Sequence, residues 1–238
     1  MLFMQFIGHD PLLNFGVFHM EHYGILGQHM QMASFIVVLS ALLISVSKFY
    51  IIMPMIASLI CHSSWAFLCS GLGIVSYYFH KNVRLSSLIL LIILSVSLGW
   101  AIKKHKITEN VNSQYGRVAI WKRSIELSNQ RPLRGWGAGT FKDLFPPISR
   151  LNCTPWRTAH NFIIEFIFEF GYPLTVCLLF ALGCLLYALI KAELWLQVAG
   201  LVMLISDSLV HFPDRILNCV PLMILFVAYC QYNLRRFA

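Results

Sequence analysis

Charged residues are scarce in this chain. Asp, Glu, Lys and Arg make up 12% of its 238 residues, whereas soluble domains carry about 25%. Hydrophobic residues make up 58% and come in long runs, so the composition excludes an ordinary soluble domain and predicts a polytopic membrane protein. Because 18 Lys and Arg face only 10 acidic residues, we expect anionic membrane lipids or phosphates as partners, and no nucleic acid.

Paired cysteines and regular metal-ligand spacings are also missing. The seven Cys include no CxxC pair, and all except Cys153 lie in or beside apolar runs, which predicts buried thiols rather than a disulfide framework. The four His residues near the beginning of the chain, His9, His19, His22 and His29, are irregularly spaced. The sequence therefore predicts no metal site and no cofactor.

Seven apolar runs predict an all-α, polytopic integral membrane protein with about seven transmembrane helices. We expect one integral membrane domain over residues 1–238, with a polar, irregular segment over 1–29. Pro54 makes the second run a candidate for a kinked or re-entrant span, and Gly171 and Pro173 predict a kink in the fifth. The runs are 30–47, 49–61, 64–79, 85–102, 161–190, 194–211 and 216–233.

One long hydrophilic segment, 103–159, separates the fourth and fifth runs. It holds eleven of the 18 Lys and Arg residues, namely Lys103, Lys104, Lys106, Arg117, Lys122, Arg123, Arg131, Arg134, Lys142, Arg150 and Arg157. If this segment and the turn at Arg215 lie on the same side of the membrane, that side carries 12 Lys and Arg residues and the other side carries six. The positive-inside rule would place the segment in the cytoplasm, but long loops escape that rule, so charge leaves the orientation open.

Within this segment, Ser113–Ser128 reads as a short amphipathic helix with Trp121 on its apolar face. A Lys122–Glu126 pair would stabilise its polar side. The breakers Arg131-Pro132 and Gly135–Gly139 end the helix, and Phe145-Pro146-Pro147 is predicted to continue as irregular loop.

Two residues suit phosphate and proton chemistry. Arg117 lies one helical turn before Trp121, and its guanidinium fork is able to hold a phosphate; a solvated or snorkelling Arg is the alternative. His160 lies where the polar segment meets an apolar helix, whose N–H groups disfavour a protonated imidazole. A neutral His there suits a general base, and an interfacial residue beside the cap is the alternative.

Asn161, Glu165 and Glu169 recur at i, i+4 and i+8 and form a polar stripe on an apolar helix. Carboxylates at membrane depth face a cavity or a cationic partner, and the candidate partners are Arg117, Arg134 and Arg157. A structural ion pair explains the stripe equally well.

Three motifs occur in order between Tyr115 and Gly171. They are Tyr115-Gly116-Arg117 with Trp121, then Arg131-Pro132-Leu133-Arg134-Gly135-Trp136-Gly137 with Gly139 and Phe141, then Ala159-His160-Asn161-Phe162 leading to Glu169-Phe170-Gly171. Their order and spacing resemble the O-antigen ligase/polymerase (Wzy-like, WaaL-like) family of membrane glycosyltransferases. A weaker likeness extends to His211-Phe212-Pro213-Asp214.

The resemblance implies metal-independent transfer of a glycan from a polyprenyl diphosphate carrier. It places the protein in the bacterial inner membrane with the long segment in the periplasm. It makes His160 and Arg117 the catalytic candidates. The residues that it suggests for substrate binding are Arg134, Arg157, Asn161, Trp121, Glu165 and His211.

We expect lipid A–core as the acceptor, as in an O-antigen ligase. Repeat-unit polymerisation and protein O-glycosylation are alternatives within the same chemistry. A non-catalytic membrane subunit, a transporter half or an inactive fragment is an alternative of another class, and Glu165, Glu169 and Asp207 would suit a transporter. Family members have more spans, so we expect this chain to correspond to their C-terminal portion. The stretch His62–Ala66 lacks the Arg that the family often has at a span start.

Overall fold

The described part of the chain is helical and contains no strand. The structure, a computed structural model, describes residues 29–44, 47, 50, 52–60, 63–107, 117–149, 158–209 and 219–237. The helices within these ranges are α1 His29–Ile44, α2 Met53–Ile60, α3 Ser64–Phe79, α4 Val83–Ile107, α5 Arg117–Ser128, α6 Phe141–Ser149, α7 Phe162–Lys191, α8 Trp195–Ser208 and α9 Cys219–Phe237.

Every one of the seven apolar runs contains a helix, because side chains that avoid water leave the backbone to satisfy its own hydrogen bonds. Among the described residues, one helix, α7, is long and apolar enough to cross a membrane. Its 30 residues are interrupted at Gly171, and the part after the break, 172–191, extends over about 30 Å, the thickness of the hydrocarbon core. The other apolar helices are shorter, so a seven-span topology stays a prediction.

Two predictions about the long hydrophilic segment need correction. Phe145, Pro146 and Pro147 lie inside α6 rather than in a loop. Phe145 is fully buried and packs on Phe141, with ring centroids 4.6 Å apart, so aromatic packing outweighs the low helix propensity of proline. Glu126 pairs with Arg123 at 2.9 Å, not with Lys122. The part of the predicted helix before Arg117 lies outside the described residues.

The chain divides into two compact units. Within the described residues, the first contains α1–α3, α4 as far as Lys103, the end of α7 from Leu189, α8 through Asp207, and α9. Its core is apolar and includes Val37, Ala66 and Met203. The fully buried Asp207 carboxylate accepts a 2.6 Å hydrogen bond from the Ser34 hydroxyl. The expectation of a single domain over 1–238 stays a prediction.

The second unit contains α5, α6 and most of α7. Phe141, Phe145 and Phe168 are fully buried together with Ile120 and Leu127. The Phe168 ring meets Phe141 edge-on at 5.0 Å, a geometry that aromatic rings favour. This core fixes α5 and α6 against the first turns of α7, next to His160, Asn161 and Glu165.

Candidate functional site

Asn161 begins α7 as its N-cap. Its Oδ1 accepts a hydrogen bond from the Ile164 N–H at 3.1 Å, and its carbonyl accepts one from the Glu165 N–H at 3.0 Å. Capping by Asn satisfies a helix N–H that would otherwise be orphaned. His160 is the residue before this cap, at the loop–helix junction where the sequence predicts it.

His160 has an unusual backbone conformation. Its φ is 52°, in the left-handed region, which costs a residue other than glycine about 1–2 kcal/mol. His, Asn and Asp occupy this region more often than other side chains do. Such a conformation persists only where its surroundings hold it.

The neighbouring residue Ala159 supplies that hold. Ala159 is fully buried, its carbonyl accepts the Trp121 indole N–H at 2.7 Å, and its own N–H donates to Glu165 Oε2 at 2.9 Å. Helix α5 therefore fixes one side of the Ala159 peptide and α7 fixes the other. We call this arrangement the Ala159 clamp. Trp121 and Glu165 were both predicted to bind substrate. In the structure they hold the backbone next to His160.

Glu169, one turn after Glu165, makes a similar contact. It is buried, and its Oε1 accepts the Phe141 N–H at 3.2 Å, at the beginning of α6. All three members of the predicted polar stripe therefore accept backbone N–H groups. The stripe links the starts of α6 and α7 to the loop before α7, in the manner of helix caps.

Helix α7 is broken at Gly171, as its Gly and Pro predicted. Gly171 has φ 80° and ψ 174°, and Pro173 has no N–H to offer the Glu169 carbonyl. The carbonyls of Phe168 and Glu169 instead accept the N–H groups of Trp136 and Gly137, each at 2.9 Å. The Tyr172 N–H in turn donates to the Pro132 carbonyl at 2.8 Å.

Residues 131–140 form a turn that docks on this break through main-chain atoms, and we call it the docked turn. Gly135 lies so close that a Cβ there would be 2.5 Å from the carbonyl carbon and oxygen of Glu169. A Cβ on Gly171 would be 2.7 Å from the Pro132 carbonyl oxygen. Both glycines also have positive φ, so glycine is needed on each side of the contact.

Two residues of the docked turn, Arg131 and Trp136, belong to a motif in the sequence but were not predicted as site residues. The Trp136 ring stacks on Phe168 at 5.9 Å, and its indole N–H donates to the Leu127 carbonyl at 3.1 Å. The Arg131 guanidinium lies over the Trp136 ring, 4.3 Å from its centroid, a cation–π contact. A tryptophan inside a glycine-rich turn is the signal that points to such packing.

The remaining predicted site residues have different placements. Arg134 is exposed on the docked turn. Arg117 opens α5 one turn before Trp121, on the same helix face by register; its side chain lies outside the described residues. Arg157 and His211 also lie outside them. Across the described ranges, no group of three or more His, Cys, Asp or Glu is arranged to hold a metal ion.

Comparison with protein families finds a match over more than half of the chain. The model of a family described as O-Antigen ligase matches residues 27–179. The matched range includes α5, the docked turn, His160 and the break in α7. Among curated proteins, no match was found.

Proposed function

The chain belongs to the O-antigen ligase family, and from this premise we propose that it transfers a glycan from a polyprenyl diphosphate carrier to lipid A–core. Membership implies a membrane protein that performs glycosyl transfer with glycan and lipid-linked substrates. Beyond what membership implies, we propose the diphosphate donor, the lipid A–core acceptor and a reaction at the periplasmic face of the inner membrane. We also propose that the seven apolar helices span the membrane and that the 103–159 segment is periplasmic.

The strained His160 backbone is the observation that carries the proposal. A left-handed His between a buried Ala159 and the Asn161 cap costs stability that a Gly would not cost. Strain of this kind concentrates at active sites, where it presents a side chain in a fixed direction. The Ala159 clamp fixes the backbone that carries the imidazole, as a reacting group requires.

The proposed reaction is a displacement at the anomeric carbon. The acceptor hydroxyl gives its proton to the His160 imidazole, and its oxygen bonds to the anomeric carbon. The bond from that carbon to the diphosphate oxygen breaks, so the polyprenyl diphosphate leaves with the bonding electrons. Arg117 meets the charge that develops on it, since a guanidinium stays protonated and binds phosphate through two N–H groups.

Further residues assist in this proposal. Arg134 and Arg157 add positive charge beside the diphosphate, and Asn161 and His211 offer hydrogen bonds to the substrates. Trp121 and Glu165 act through the Ala159 clamp. No step requires a metal ion, because the arginines provide the electrostatic stabilisation.

The test compares two substitutions of one residue. His160→Ala removes the imidazole and keeps the backbone strain, whereas His160→Gly removes the imidazole and relieves the strain. Each variant is expressed in a ligase-null strain that supplies undecaprenyl diphosphate-linked O-antigen, at matched levels in the membrane. Lipopolysaccharide is then read on a gel. Loss of a general base slows the reaction by about 10²–10⁴-fold, so both variants are expected to give no visible ligated product.

The glycine variant separates chemistry from structure. If His160→Gly ligates normally while His160→Ala does not, His160 has only a backbone role and the proposed base is wrong. Arg117→Lys is expected to fail as well, because Lys retains the charge but loses the two-pronged contact. The parent chain is also tested in a polymerase-null strain. If the parent chain restores long O-antigen chains in the polymerase-null strain but gives no ligation in the ligase-null strain, the acceptor is a growing glycan and not lipid A–core.

A further inference from the structure

Two short turns of the first unit meet at one end of its helices. His80–Asn82 joins α3 to α4, and Ala192–Leu194 joins α7 to α8. The His80 imidazole stacks on the Trp195 indole, with centroids 4.5 Å apart and planes within 3° of parallel. The stack holds the two turns side by side.

The joined turns carry an excess of positive charge. Lys81 on one turn, Arg84 in the first turn of α4 and Lys191 beside the other turn are exposed, and Glu193 is the acidic residue among them. The Lys81 ammonium donates to the Tyr77 hydroxyl at 3.2 Å and lies 4.8 Å from the centroid of that ring. These partners are uncharged, so they orient Lys81 without neutralising it.

An apolar surface continues directly below these cations. Arg84, Leu88 and Leu91 recur at i, i+4 and i+7 on α4, so they share one face of the helix. Leu88 is 55% exposed and Leu91 is 62% exposed, and the flanking Leu85 and Ile92 are exposed as well. A helix face with a cation at its end and an exposed leucine row beneath it matches an amphiphile with an anionic head.

We propose that His80, Lys81, Arg84 and Trp195 form a headgroup site for an anionic phospholipid. Its phosphate contacts Lys81 and Arg84, and an acyl chain lies along Leu88 and Leu91. Tyr and Trp rings are typical of the headgroup level of a membrane, and basic residues there attract anionic lipids. The leucine row favours a lipid over a free phosphate, which would use the cations alone. This inference is independent of the reaction proposed above.

The experiment measures lipid binding to the purified full chain. The protein in detergent is titrated with phosphatidylglycerol or with phosphatidylcholine of the same acyl chains, and bound lipid is counted by native mass spectrometry. The test variant is K81Q/R84Q. The control is K122Q/K142Q, which removes two exposed positive charges from the second unit. Circular dichroism and size-exclusion chromatography check that all variants fold.

The expected change in lipid affinity differs between the variants and between the two lipids. Each basic residue contributes about a factor of five to the attraction of anionic lipid, so K81Q/R84Q is expected to bind the first phosphatidylglycerol about 30-fold more weakly. Phosphatidylcholine binding should not change, and the control should retain phosphatidylglycerol within about threefold. Trp195→Leu leaves the charges in place but removes the stack, and it should weaken phosphatidylglycerol binding several-fold.

Three outcomes would overturn the site. Equal losses in K81Q/R84Q and K122Q/K142Q would mean that total charge, not this site, attracts the lipid. Unchanged phosphatidylglycerol binding in K81Q/R84Q would remove the headgroup contact altogether. Competition by glycerol 3-phosphate at the same concentration as the lipid would show a free-phosphate site that makes no use of the leucine row.

Discussion

Substitution of Gly135 by Ala tests the docked turn against a control that the chain itself provides. Gly135 and Gly139 have nearly the same positive φ, 64° and 69°. An added Cβ would meet the Glu169 main chain at 2.5 Å in the first case and nothing within 4 Å in the second. Both substitutions therefore carry the same conformational penalty of about 1–2 kcal/mol, but only Gly135→Ala also forces the turn away from α7.

The extra effect follows from the contacts that the movement breaks. The Trp136 and Gly137 hydrogen bonds to α7, each 2.9 Å long, contribute about 1 kcal/mol apiece. The obstructing atoms are backbone, so no side chain is able to move aside. Gly135→Ala should thus destabilise the docked turn by about 2 kcal/mol more than Gly139→Ala, a factor of about 30 in the opening equilibrium.

Hydrogen exchange followed by mass spectrometry measures this difference on peptides that contain the Trp136 and Gly137 amides. Those amides should exchange about 30-fold faster in Gly135→Ala than in Gly139→Ala, because local opening controls their exchange. Peptides from α1 and α3, which belong to the first unit, provide the internal reference. Equal exchange rates in the two variants would refute the reasoning, since the close approach of Gly135 to Glu169 is the contact that predicts the difference.

Three further predictions concern the Ala159 clamp and the topology. Trp121→Phe keeps an aromatic ring but removes the N–H donor to the Ala159 carbonyl. It should destabilise the Ala159 clamp by about 1–3 kcal/mol and reduce ligation. Normal ligation with normal thermal stability would contradict the clamp. Glu165→Gln retains an oxygen that accepts the Ala159 N–H and should lose far less ligation than Glu165→Leu in the same gel assay; equal loss would point to the carboxylate charge instead. Single cysteines are placed at Lys142 and Lys191 in a background without the native cysteines. They should react with an impermeant thiol reagent from opposite sides of the membrane, because α7 is long enough to cross it between them. Reaction of both from the same side would exclude that topology.

The apolar helices were predictable because hydrophobic runs leave the backbone few alternatives. The seven apolar runs are visible in the sequence itself. The break at Gly171 and Pro173 follows from the missing N–H of proline and the conformational freedom of glycine. The position of His160 at a helix start was predictable in the same local way, since Asn161 is a good cap.

The errors arose where distant residues decide the structure. Pro146 and Pro147 indicate a loop by propensity, yet Phe145 and Phe141 pack with Phe168, more than 20 residues later, and α6 continues through the prolines. The main-chain hydrogen bonds that dock the turn on α7 were also not predicted, because side-chain patterns do not record which N–H and carbonyl groups meet. The left-handed φ of His160 likewise depends on Trp121 and Glu165, which lie on two other elements.

The main-chain character of the docked turn bears on how such a protein diversifies. Leu133 is 74% exposed, while carbonyl and N–H groups of the same turn hold it on α7. Mutation of Leu133 therefore changes the surface that the turn presents without disturbing its attachment. Descendants of this sequence are free to exchange that side chain, and with it the contacts made by the turn, as long as Gly135 and Gly171 persist.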